Sequence, residues 1–186
     1  MRDSDSSSRE WALAANYEPY VGRWSRVAAV AFLDWLKVAP HARWLDVGCG
    51  TGALSSVVLK RAQPTSVVGV DSSEGFVDYA RRQLDDPRVS FQVGDALDLP
   101  IEPNSVDAAV SGLVLNFVPD PEAMLREMAR ACGQGGVVAT YVWDYAGDMQ
   151  MMRLFWDAAA SLDSNAIELD EGRRFSVCHP SRLTQL

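Results

Sequence analysis

The stretch Arg43-Trp44-Leu45-Asp46-Val47-Gly48-Cys49-Gly50-Thr51-Gly52 decides the reading of this 186-residue chain. RWLDV is a short, mostly apolar run of strand length. The GCGTG that follows turns sharply, because glycines let the backbone bend and approach a ligand without a Cβ in the way. Ala53–Ala62 then reads as helix. The loop thus ends at a helix N-terminus, with free N–H groups and a partial positive charge. Asp46 is out of place for a phosphate site: a carboxylate there repels a pyrophosphate but suits a ligand carrying an ammonium group. Taken alone, the loop is also compatible with an ordinary tight βα turn.

Outward from this stretch, strand and helix alternate. Upstream, apolar residues at helical spacing (Val27, Val30, Ala31, Leu33, Leu36, Val38) predict a helix within residues 11–38, broken before Pro40. Downstream, Ser66–Val70 reads as a second buried strand ending at Asp71. Ser73–Leu84 reads as helix, with Ser72 as its N-cap. Val89–Val93 and Val106–Val110 read as strands three and four. Asp120–Ala131 reads as a helix with Asp120 as cap, Pro121 in the first position and Gly133 past its end. Val137–Val142 reads as strand five. Met149–Ala160 reads as a helix with Met152, Phe155, Trp156 and Ala159 on one face. Short buried strands alternating with helices imply βαβ units and a parallel sheet. The expected fold is α/β: a Rossmann-like, doubly wound, mostly parallel sheet of about five strands flanked by helices. Residues 1–10 are polar and expected to be a disordered tail, with 11–186 forming one domain.

A second signal is Asp71, 19 residues after Gly52. An acid at the end of the second strand accepts hydrogen bonds from vicinal ribose hydroxyls, although an N-cap role for the next helix is the bland alternative. Loop and acid together are far more specific than either, because adjacent strand ends face one crevice. A third signal is GDALDLP (Gly94–Pro100), whose carboxylates and backbone suit an adenine amino group but also an ordinary polar loop.

Composition narrows the field. The net charge is −8, and residues 94–186 carry 14 acidic against 6 basic residues. That weighs against nucleic acid as a partner. No apolar run reaches membrane-spanning length, and the polar start MRDSDSSSRE is not a secretory leader. Cys49, Cys132 and Cys178 are too few and scattered for a disulfide framework, and His41 and His179 lie near no other ligand types. No metal is expected, and a cytoplasmic setting is. Fifteen Arg against two Lys suggest a GC-rich bacterial source.

The set DVGCGTG, the strand-two acid, GDALDLP and SVDAAVSGLVLNFVPDP, in that order over roughly residues 17–145, resembles the class I S-adenosylmethionine-dependent methyltransferases. Members of the DVGCGTG branch act on small molecules. The resemblance implies S-adenosyl-L-methionine as cofactor and S-adenosyl-L-homocysteine as product. Gly48, Cys49, Gly50 and Gly52 would shape the loop against the methionine part, and Asp46 would address its ammonium. Asp71 would bind the ribose and Ser72 would lie beside the adenine. Asp95 and Ala96 would meet the adenine edge, and the backbone of Ser111 would meet the methionine amine. From YEPYVGRWSR, Tyr20 and Arg26 are candidates to close over the cofactor. Asn116 and Phe117 would face the methyl acceptor, and no residue stands out as a general base.

The resemblance also marks two departures. Members add two strands after the fifth, whereas here only Arg174–Cys178 hints at one, before Pro180-Ser181-Arg182-Leu183 begins a helix. The chain therefore reads as a shortened member, with cofactor binding better supported than turnover. Strand five would then be a long uncharged edge, inviting a homodimer through it or through the Met- and Trp-rich helix after it. Two other functions fit less well. A nicotinamide-dependent oxidoreductase explains the loop and Asp71, but the spacing is G-x-G-x-G rather than G-x-G-x-x-G. A cofactor-binding protein without turnover remains the nearer alternative.

Overall fold

Residues 23–186, which the computed structural model describes, run α1 (Arg23–Leu36), β1 (Arg43–Val47), α2 (Ala53–Arg61), β2 (Ser66–Asp71), α3 (Glu74–Gln83), β3 (Val89–Val93), β4 (Val106–Gly112), α4 (Pro121–Ala131), β5 (Cys132–Tyr141) and α5 (Gln150–Leu162). Short helical turns follow at Ser164–Leu169, Glu171–Arg174, Ser176–Cys178 and Pro180–Leu183. The five strands form one sheet in the order β3-β2-β1-β4-β5, and every pair is parallel. The chain winds outward from β1 to β3 and then crosses back to β4 on the other side of β1. The winding therefore reverses between β1 and β4, and the crevice beyond their carboxyl ends is where doubly wound sheets bind ligands.

Both faces of β1 are covered, which is why its run is apolar rather than alternating. Trp44 packs with Phe32 of α1 and Val57 and Val58 of α2. Leu45 and Val47 face the opposite layer with Met124 and Met128 of α4. Burial of each such side chain contributes on the order of 1.5–3 kcal/mol. At the open end, Arg43 grips Asp107 of β4 through Nε (3.0 Å) and Nη2 (2.7 Å), pinning the β1/β4 register. That pair holds the Asp107 carboxyl down at about 2.

Several boundaries differ from expectation. The first helix occupies Arg23–Leu36 of the described residues; the 1–10 tail and the start of the 11–38 segment lie outside them. The cap of α3 is Ser73, not Ser72: its hydroxyl accepts from Phe76 N at 3.3 Å. Asp120 does cap α4, accepting from Ala123 N at 2.8 Å. Gly133 does not stop that helix in a loop, because β5 starts at Cys132. Cys132 pairs with Val106 and Val137 with Ala108, and residues 133–136 between them form a register irregularity with no partners of their own on β4. Arg174–Cys178 is a helix end followed by a 3₁₀ turn, not a strand. The turn is anchored by buried Cys178 rather than by strand pairing.

Candidate functional site

A cavity of about 320 Å³ opens at the carboxyl ends of β1, β2 and β4. Its floor is the loop after β1. Gly48 N and Cys49 N donate to Val70 O at 2.8 and 3.0 Å, strapping the loop to the end of β2. Gly48 has φ +71°, and a Cβ there would lie 2.5 Å from Val114. Gly50, at φ +52°, instead faces open space, with nothing within 4 Å of a would-be Cβ. The first glycine is required by packing against the protein, and the second leaves a bare backbone toward the cavity. Gly52 is the N-cap of α2, so the amino end of that helix points the same way.

Asp71 ends β2 and faces this loop. Its Oδ2 accepts from Gly50 N at 2.8 Å, and its Oδ1 accepts from Ser73 N at 2.9 Å. It does not cap α3, since Ser73 does. The capping alternative for Asp71 therefore falls, and the carboxylate stays on the cavity wall beside Ser72. Asp46 is buried beneath the loop. Its Oδ2 accepts from Ser55 N (3.0 Å) and Ser55 Oγ (2.6 Å), while Oδ1 has no partner among the described residues. Burial pushes its carboxyl up to about 6, against the opposing pull of the Ser55 bonds. The Cys49 thiol is also raised, first by burial and then by Asp46 and Asp71, so it stays neutral.

Of the other expected site residues, Phe117 lines the cavity and is 65% exposed, with its ring edge-on to Phe175 at 5.2 Å. Asn116 is half-buried off the cavity, its Nδ2 without a partner among the described residues. Asp95 and Ala96 do not line it. Asp95 is exposed and spends Oδ1 on Leu97 N at 2.9 Å, but Gly94 N reaches Asp71 O at 3.0 Å, so this loop shares the rim. Ser111 is fully buried, paired with Thr140 of β5; the wall is reached instead by Gly112 and Leu113. Arg26 is half-buried on α1 and off the cavity, which its neighbour Ser25 lines. Tyr20 lies outside the described residues.

Sequence reasoning missed Ser25, Phe76, Leu113 and Tyr141. Phe76 had a signal, lying one helical turn past the capping Ser73. Leu113 had none: its φ of +64° is rare for a leucine, and its N donates to Tyr141 O at 2.8 Å. No group of His, Cys, Asp and Glu able to hold a metal exists among the described residues.

Fold and site together define a crevice at the switch point of a doubly wound sheet, with one carboxylate on its wall and another beneath its floor. The methyltransferase-domain family matches residues 45–140, from β1 to β5. The trans-aconitate 2-methyltransferase of Methylobacterium nodulans is 32% identical over 131 residues, covering 70% of this chain and 49% of that protein. The 2-phytyl-1,4-naphtoquinone methyltransferase of Synechococcus elongatus is 34% identical over 121 residues, covering 62% and 50%. Among solved structures, an S-adenosylmethionine-dependent methyltransferase from Mesorhizobium loti superposes with a TM-score of 0.57 at 26% identity, covering 63% of this chain and 54% of that one. The chain belongs to the class I S-adenosylmethionine-dependent methyltransferases. It spans about half the length of the curated relatives it matches.

Proposed function

We propose that the chain binds S-adenosylmethionine in this cavity and transfers its methyl group to a small-molecule acceptor, releasing S-adenosylhomocysteine. The observation that carries this reading is the Asp71–Gly50 link, which joins the strand-two acid to the bare-backbone loop in one crevice. The residues present fit the cofactor. Gly50 leaves room for close approach, Asp71 has lone pairs left for ribose hydroxyls, and Asp46 adds a shielded negative charge at the amino-acid end. When bound, S-adenosylmethionine supplies a methyl on a sulfonium, whose leaving group is a neutral thioether.

The chain's part is alignment and exclusion of water. Asp71 and Ser72 hold the nucleoside, and the loop 48–52 and the backbone of Gly112 and Leu113 confine the amino-acid arm. Asp95 and Ala96, on the shared rim, shield the adenine edge. Phe117, braced by Phe175, walls the acceptor side, and Asn116 is its neighbour in the chain. Two relatives named for small organic acceptors, trans-aconitate and a naphthoquinone, support the substrate class. No metal enters this reading. No helix among the described residues is long and apolar enough to cross a membrane. Three buried free cysteines suit a reducing compartment, and the proposed setting is the cytoplasm. A homodimer through the free edge of β5 or the apolar side of α5 is proposed on the same footing.

Calorimetric titration with S-adenosylhomocysteine tests the cofactor. Micromolar binding is expected, weakened on the order of 100-fold in Asp71→Ala by loss of two charge-assisted hydrogen bonds. An unaltered affinity in that variant would sink the site assignment. Binding without methyl consumption over a broad acceptor panel would leave a binding protein without turnover.

A further inference from the structure

Ser55, in the first turn of α2, is fully buried and sends two bonds to a single atom. Its backbone N and its hydroxyl both donate to Asp46 Oδ2. The backbone bond caps the helix start, and any residue but proline would make it. The hydroxyl bond is redundant for capping. What it adds is orientation and charge. With both donors on Oδ2, the carboxylate cannot rotate freely. Oδ1 is left without a partner among the described residues, in a side chain that borders the cavity. A buried acceptor left unpaired carries an uncompensated desolvation cost. Such a cost persists where something else draws on the charge.

We infer that Ser55 is a positioning residue for specificity: its hydroxyl holds Asp46 ionised and aimed, so that the site prefers a nucleoside thioether bearing an amino group over the same nucleoside thioether without one. This assignment rests on the cofactor reading above. The titratable groups facing Asp46 are Asp71, whose like charge raises it, and the neutral Cys49 thiol. The amino end of α2 favours the charged form. Removing the hydroxyl takes away a donor that stabilises the anion, so Asp46 would hold its proton to higher pH.

The test is titration of wild type, Ser55→Ala, Asp46→Asn and the double variant with S-adenosylhomocysteine and with 5′-methylthioadenosine, from pH 5 to 8. Ser55→Ala is expected to weaken S-adenosylhomocysteine about tenfold, the worth of one hydrogen bond to a charge. It should also move the pH at which that affinity falls upward. Binding of 5′-methylthioadenosine should change less than about twofold, since that ligand carries no ammonium for Asp46 to attract. In the Asp46→Asn background, Ser55→Ala should add nothing. Equal losses for both ligands, or a full effect in the Asp46→Asn background, would overturn the inference. A wild-type chain that binds neither ligand would overturn the cofactor reading and this inference with it.

Discussion

The carboxyl of Asp46 sits at about 6 instead of its ordinary 3.8 because burial disfavours its charge. Between those two values the folded chain holds more protons than the unfolded one, so stability falls as pH rises through that window. At neutral pH the ionised, buried Asp46 thus destabilises the ligand-free protein. Asp46→Asn should therefore raise the midpoint of chemical denaturation at pH 7.5 while weakening S-adenosylhomocysteine. An unchanged or lowered midpoint would contradict the burial argument. The binding window follows from the same group: affinity of the wild type should drop about tenfold per pH unit below pH 6, as the carboxylate that attracts the ammonium is neutralised. The Asp46→Asn curve should be flat there. Asp46 was legible in the sequence as an acid wrongly placed for phosphate. Its depth and its partner Ser55 were not, since position 55 is close in sequence but its side-chain direction depends on how α2 leaves the loop.

Caps decide where the helices begin, and they were read with mixed success for a physical reason. Asp120-Pro121 leaves one solution, because proline cannot donate and suits the first helical position. Asp120→Ala should lower stability by about 1 kcal/mol, read as a shift in denaturation midpoint at constant slope. No shift would mean that the cap is redundant. At Ser72-Ser73 two identical side chains compete. The choice falls to Ser73 because Asp71, held in place by Gly50 N, already takes the Ser73 N–H and fixes the chain's direction into α3. β5 shows the converse. Gly133, Gly135 and Gly136 argue against a strand locally, yet pairing along β4 extends the strand to Cys132. The break in register falls on these glycines, and the ladder runs unbroken only from Val137, where the β-branched residues begin.

At the scale of the molecule, β5 ends the sheet, and α5, the next helix in the chain, has no fully buried residue. Met151, Leu154 and Phe155 are each more than half exposed. A strand that ends the sheet and, among the described residues, an exposed apolar helix face are each what a second copy would cover. Light scattering at micromolar concentration should give twice the chain mass, and Leu154→Glu, which substitutes a 70% exposed side chain, should return it to one. A monomeric wild type would end the dimer proposal.

The sequence by itself determined the alternation of strand and helix, the glycine loop, the strand-two acid and the family they resemble. Each is carried by local pattern: apolar periodicity, glycine spacing and the residue type at a strand end. Only the tertiary structure decided which neighbouring residues reach the cavity. Leu113 and Tyr141 line it, whereas Ser111 is shut inside the ladder. Ser111 lies within β4 and pairs with Thr140, whereas Leu113 follows the end of the strand at φ +64°, a turn that takes it out of the ladder toward the cavity. That choice is fixed by register between β4 and β5, which are joined by 19 residues of helix and turn and know nothing of each other until they pair.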